Sequence, residues 1–163
     1  MVRRHPDRLR GLVLQDTRAG ADSEEARKDR ALLAEKTLRE GASAALEAFL
    51  PKLLGDTTKN ERPQVGERLR ERILATSPRG IANALQGLGG RADSIPTLRE
   101  IRVPTLVVCG AEDLITPVAE SEAIARAIPG SRREVIPSAG HLANLENPEA
   151  YNPVLLDFLS RIP

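Results

Sequence analysis

Two short stretches hold side chains of the types needed for proton transfer. Gly110-Ala111-Glu112-Asp113-Leu114-Ile115-Thr116-Pro117 sets acidic groups directly after the apolar run Leu106-Val107-Val108-Cys109, and Pro137-Ser138-Ala139-Gly140-His141-Leu142 sets a histidine after a second apolar run. Asp113 and His141 are 28 positions apart (141 minus 113). If both runs are neighbouring parallel strands, each followed by a helix, the two side chains meet at the carboxyl edge of one sheet, where functional loops of open parallel sheets gather. A carboxylate there can hold one imidazole nitrogen, fix its tautomer and stabilise the imidazolium that forms when the other nitrogen takes a proton.

The scaffold for this pair can be read from the hydrophobic pattern. Leu12-Val13-Leu14 is short, apolar and closed by Asp16 to Gly20, which predicts a strand. From Asp22 to about Thr76 the period becomes helical and the charge rises. Asp22 with Glu25 reads as a capping box for a helix running to about Glu40. Leu46, Phe49, Leu50, Leu53 and Leu54 make the stripe of a second helix that Gly55-Asp56 stops. Val65, Leu69 and Ile73 mark a third, and Ser77-Pro78 opens a fourth that buries Ile81, Leu85 and Leu88. Leu106 to Gly110 predicts a fully buried strand. Thr116-Pro117 caps a helix, 133–136 is a third strand, and Asn147-Pro148 opens a last helix presenting Leu155, Leu156 and Leu159 despite Pro153. The expected class is α/β, with about three parallel strands and a four-helix insertion. The expected divisions are 1–21 (core helix end and strand), 22–95 (helical insertion) and 96–163 (remaining core).

Composition narrows the partners. Lys+Arg 24 against Asp+Glu 23 gives a net charge of +1, and the only aromatic residues are Phe49, Tyr151 and Phe158. Neither a basic face nor a set of base-stacking rings is present, so no nucleic-acid partner is expected. No apolar run is long enough to span a bilayer, and the charged start Met1 to Arg8 is unlike a signal peptide, so a cytoplasmic protein without membrane contact is expected. One cysteine, Cys109, fits a reducing compartment and reads as a small buried hydrophobe. His5 and His141 with scattered acids lack metal-ligand spacing, and Gly87-Leu88-Gly89-Gly90 ends a helix instead of following a strand. No metal and no cofactor are expected.

The stretch 101–159 closely resembles the C-terminal end of an α/β-hydrolase, through Val103-Pro104-Thr105-Leu106-Val107-Val108, Gly110 with Asp113 and Pro117, Gly140-His141, and Glu146-Asn147-Pro148-Glu149. His5-Pro6-Asp7-Arg8-Leu9 leading into Leu12 to Thr17 is similar to the end of the helix behind the nucleophile and the sixth strand. Arg91-Ala92-Asp93-Ser94 is similar to the return from lid to core in lactonase and esterase-like members. The resemblance implies that Asp113 is the acid and His141 the general base of a Ser-His-Asp triad, with residues 22–90 forming a lid, and a small ester or lactone as substrate. Glu112 is the adjacent competitor for orienting His141, and the family pattern selects Asp113. Asp16, ending a strand at the same edge, is an alternate acid or a turn former.

The family's nucleophile sits on a Gly-x-Ser-x-Gly elbow, and these 163 residues contain none. Gly41-Ala42-Ser43-Ala44-Ala45 has part of the spelling but opens a helix. The chain therefore reads as the C-terminal portion of a longer hydrolase, inactive alone. The alternative is a non-catalytic half-fold that associates with itself or with an N-terminal polypeptide. In either case the Leu12 to Gln15 edge lacks its family partner strand, which implies a homodimer of this chain.

Overall fold

A six-residue strand with every residue buried, β2 (Thr105–Gly110), is the centre of the sheet. β1 (Leu12–Gln15) pairs with one side of it and β3 (Arg132–Ile136) with the other, both in parallel, with Leu14 opposite Val107 and Cys109 opposite Val135. The computed structural model describes residues 1–162, so Pro163, the last residue of the expected 96–163 division, lies outside the described residues.

Because strand side chains alternate, β2 feeds two cores. Leu106 and Val108 join Ile136, Ala139, Tyr151 and Phe158 under α9 (Pro148–Ser160), while Val107 joins Leu98, Ile101, Ile124 and Ile128 under α7 (Val118–Ala127). Five helices separate β1 from the final approach to β2. They are α1 (Glu24–Glu40), α2 (Ala42–Leu53), α3 (Asp56–Glu61), α4 (Pro63–Ala75) and α5 (Pro78–Gly89), followed by the single turn α6 (Ile95–Leu98). The segment has its own small core of Ala34, Ala82 and Leu85, with Leu33, Phe49 and Ile81 packed around it. Another single turn, α8 (Ala143–Glu146), follows β3. No helix among the described residues is long and apolar enough to cross a membrane.

Several local expectations change. The residues expected only to stop the second helix form α3, so four long helices are joined by a fifth, short one. Asp22 does not cap α1: Ser23 does, accepting from the Ala26 amide at 3.1 Å, and Asp22 is buried instead among arginines. Thr116 does not cap α7, because its hydroxyl is spent on Asp113. Leu88, Leu156 and Leu159 are exposed; the buried residues of α9 are Tyr151 and Phe158, with Leu155 of the expected stripe packed against the same core. The arginine-rich start is a 3-10 turn at Pro6–Arg8 and not a helix end, and Arg3 reaches Thr97, Asp93 and Ser94.

Candidate active site

Residues 111–117 leave β2 and residues 137–142 leave β3 at the same edge, and the hydrogen bonds of those loops set the geometry. The Asp113 side chain is fully buried. Its Oδ1 accepts from the amides of Ile115 (2.8 Å) and Thr116 (2.9 Å), a local turn that short acidic side chains favour. Its Oδ2 accepts from the Thr116 hydroxyl at 2.7 Å and faces His141 Nδ1 at 2.9 Å. With every lone pair of Asp113 drawn inward, Nδ1 carries the proton, and Nε2 is left as the acceptor. Thr116 Oγ1 lies 3.3 Å from the same Nδ1 and reinforces that choice.

Burial pushes the Asp113 carboxyl up, but the bonds from His141 and Thr116 outweigh it and hold it below the usual aspartate range. Burial likewise lowers His141, yet the hydrogen bond and charge of Asp113, with the charges of Asp16 and Glu146, hold the imidazole above its ordinary value. The pair can therefore take up a proton and stabilise it as imidazolium.

Glu112 turns the other way. Its carboxylate accepts from the Thr57 amide at 2.9 Å and from the Thr57 hydroxyl, tying the loop to α3. Asp16 has a left-handed backbone (φ 42°) and lines the same cavity as His141; its oxygens accept from the amides of Gly110 (3.0 Å) and Ala143 (3.3 Å) and from Gln15. Burial pushes its carboxyl up to about 6, against those hydrogen bonds and with the charge of Asp113 adding. An unfolded aspartate titrates near 3.9, as a rough reference. Between about pH 4 and 6 the unfolded chain gives up a proton that the folded chain keeps, so this group makes stability fall as pH rises through that window. Asp16→Asn, measured by urea melts, is expected to be more favourable relative to the parent at pH 7 than at pH 4 by about 1–2 kcal/mol, discounted for partial solvent screening. A pH-independent difference would refute the assignment.

Other candidates stay apart from the pair. Cys109 is buried in β2 with its thiol on Ser121, and burial raises its pKa. Ser43 donates to the Glu40 carbonyl on an exposed helix face, and His5 is exposed. Among the described residues no group of three or more His, Cys, Asp or Glu could hold a metal ion.

Sequence reasoning quoted Glu146 in a motif but gave it no role; it is 1% exposed. Its carboxylate accepts from the amides of Gly55 (2.8 Å) and Leu142 (3.0 Å), joining the helical segment to the loop carrying His141. The His141 amide itself donates to the Leu53 carbonyl at 3.0 Å, and Arg62 donates to the carbonyls of Glu146 and Ser138. Backbones meet here directly: a Cβ on Gly110 would lie 2.1 Å from the Gly140 oxygen, and one on Gly140 would lie 2.4 Å from the Gly55 nitrogen. Only glycine fits such contacts.

A cavity of about 440 Å³ opens beside His141, bounded by Asp16, Thr116 and apolar side chains of the helical segment including Phe49, Leu53 and Ile81. Arg18, Arg30 and Arg91 also line it, grouped around Asp22. A cavity of this size suits a small molecule.

A family profile described as alpha/beta hydrolase fold matches residues 1–148. The chain is 32% identical over 149 residues to 3-oxoadipate enol-lactonase 2 of Acinetobacter baylyi, covering 90% of this chain and 53% of that protein. A thermophilic esterase from Thermogutta terrifontis, solved with malate bound, superposes with a TM-score of 0.96 at 42% identity, over 99% of this chain and 59% of that one. The enol-lactonase from Burkholderia xenovorans gives 0.85 at 31% identity, over 97% and 59%. The chain thus spans between about half and three fifths of the length of these relatives.

Proposed function

The chain belongs to the α/β-hydrolase fold family, and on that footing we propose that Asp113 and His141 are the acid and base of a hydrolase that cleaves a small ester or lactone. The observation supporting this reading is the 2.9 Å contact of His141 Nδ1 with a fully buried Asp113 on the wall of a small-molecule cavity. In the proposed reaction Nε2 of His141 takes the proton of a serine hydroxyl as its oxygen attacks the substrate carbonyl carbon. It returns that proton to the departing alkoxide, and a water molecule then releases the acyl group by the same exchange. The serine belongs to a Gly-x-Ser-x-Gly segment that these 163 residues do not contain, and we assign it to polypeptide outside them. The lid role of the segment 22–90 and a reducing, cytoplasmic setting belong to the same proposal.

Fluorophosphonate labelling tests it. The 163-residue chain alone is expected to stay unlabelled, and the chain joined to an upstream strand-turn-helix segment bearing Gly-x-Ser-x-Gly is expected to label at that serine and hydrolyse activated esters. Labelling of Ser43 or Ser138 in the chain alone would overturn the reading. A second reading, a non-catalytic unit pairing with a copy of itself, is favoured by β1, which is hydrogen-bonded to β2 on one side only, with all four residues half-buried. Light scattering of the same preparation tests that pairing, which a monomer defeats, and the labelling experiment decides the hydrolase reading.

A further inference from the structure

We propose that Asp16 is a positioning residue for the Asp113–His141 pair: its carboxylate ties the end of β2 to the loop that carries His141, which keeps the imidazole on Asp113, and its charge supports the imidazolium. This deepens the hydrolase reading and rests on it for the role of His141 as base.

The geometry is that of a bridge. Asp16 follows β1 directly, with its own amide on the Val108 carbonyl at 2.9 Å. Its Oδ1 accepts at 3.0 Å from the Gly110 amide, where the chain leaves β2 towards Asp113. Its Oδ2 accepts at 3.3 Å from the amide of Ala143, two residues beyond His141. The same oxygen accepts from Gln15 Nε2 at 3.1 Å, and Gln15 is oriented for that task. The Tyr151 hydroxyl occupies Gln15 Oε1, which turns the amino group to Asp16 and to Asn144 Oδ1 at 2.9 Å. The end of β1 thus holds α8 at two successive residues. Glu146 and the Leu53 carbonyl fix the His141 loop to the helical segment; Asp16 fixes it to β1.

Three features set Asp16 apart from an ordinary turn former. Gly110, Ala143 and Gln15 all present N–H donors to the carboxylate, so the ionised acid fits, whereas an amide would turn its own donors against one of them. The backbone is left-handed (φ 42°) at a residue with a Cβ, a strain that glycine would avoid and that persists where a side chain is needed. Burial pushes the carboxyl up to about 6, so at neutral pH its charge weakens the fold. A turn gains nothing from that cost, but His141 does: on the wall of the same cavity, its imidazole is held above its ordinary value by the charge of Asp16 as well as by Asp113 and Glu146, against burial. The remaining charges nearby are otherwise engaged, Arg18, Arg30 and Arg91 around Asp22, and Glu112 on Thr57.

NMR of the full chain tests this without turnover, with exposed His5, the only other histidine, as internal control. Two variants divide the role. Asp16→Asn keeps the size and tolerates the left-handed backbone but removes the charge and one acceptor; Asp16→Gly removes the side chain and suits the backbone. In Asp16→Asn the titration midpoint of His141 is expected to fall while that of His5 stays in place. In Asp16→Gly the Ala143 amide should exchange about tenfold faster than in the parent, and the downfield Nδ1 proton that His141 shares with Asp113 should broaden or vanish, with Asp16→Asn intermediate. A His141 midpoint unchanged in Asp16→Asn, or an Nδ1 proton as sharp in Asp16→Gly as in the parent, would overturn the proposal. If Asp16→Gly loses its dispersed spectrum, Asp16→Asn decides alone. A chain that shows these signatures yet never labels with fluorophosphonate when given the nucleophile segment sinks the hydrolase reading only. An active hydrolase whose His141 is indifferent to Asp16 sinks this one only.

Discussion

Asp113→Asn, made in the polypeptide that also carries the nucleophile segment, is expected to lower kcat by about 10³- to 10⁴-fold with little change in KM, and His141→Ala by a similar factor. An asparagine can offer its amide hydrogens to Nδ1, which turns the imidazole to the tautomer whose Nε2 already carries a proton and cannot act as base. The pH profile separates this from simple damage. Burial draws the His141 pKa down and Asp113 more than reverses it, so the acid limb of kcat/KM should lie above the ordinary imidazole value near 6.5, with activity lost as pH falls through it. Without that carboxylate only the charges of Asp16 and Glu146 oppose burial, and the residual activity of Asp113→Asn should show that limb at lower pH. A limb that does not move would mean that Asp113 does not set the histidine's proton affinity.

The largest stability change is expected at Asp22. Its carboxylate is held well below the usual aspartate range, by Arg30 first, against burial, and then by Arg18. Removing it in Asp22→Ala leaves three guanidiniums facing one another with no buried counter-charge, a change on the order of 3–5 kcal/mol in urea melts. High salt should restore part of that loss by screening the arginines. The exposed Glu24–Lys28 pair on α1 is the internal control: Glu24→Ala should cost less than about 0.5 kcal/mol. A loss at Asp22 no larger than the control's would show that the arginines are relieved by solvent.

Why Asp113 and His141 were legible in the sequence and Asp22 was not is a matter of reach. Each member of the pair sits in the loop directly after an apolar run, and parallel strands deliver such loops to one edge, so local pattern and topology together were sufficient. Asp22 acts through Arg18, Arg30 and Arg91, four, eight and 69 positions away, and nothing in its own neighbourhood distinguishes it from the capping residue it resembled. Thr116 failed in the same way: a hydroxyl before a proline reads as a cap until a buried carboxylate three residues earlier claims it. The α9 stripe was right at Leu155, which packs on the core, and misplaced at Leu156 and Leu159, where packing selected the larger rings of Tyr151 and Phe158 instead. Tyr151 also hands its hydroxyl to Gln15, a contact across 136 positions.

The backbone junction at Gly55, Gly140 and Gly110 bears on how such a chain can be recombined. Helical segments of this kind invite exchange between relatives, and the tempting cut is at the end of α2. Between 53 and 62, however, the chain is stitched to the core by Leu53, Gly55, Thr57 and Arg62, and the contact of Gly55 with Gly140 admits no side chain on either partner. A chimera cut at 54 would bring a foreign backbone against Gly140 and lose the bonds that hold His141 in place. Residues 53–62 should therefore travel with the sheet, and α1, α2 and α5, which share one core, with one another and with α4, which packs on α2.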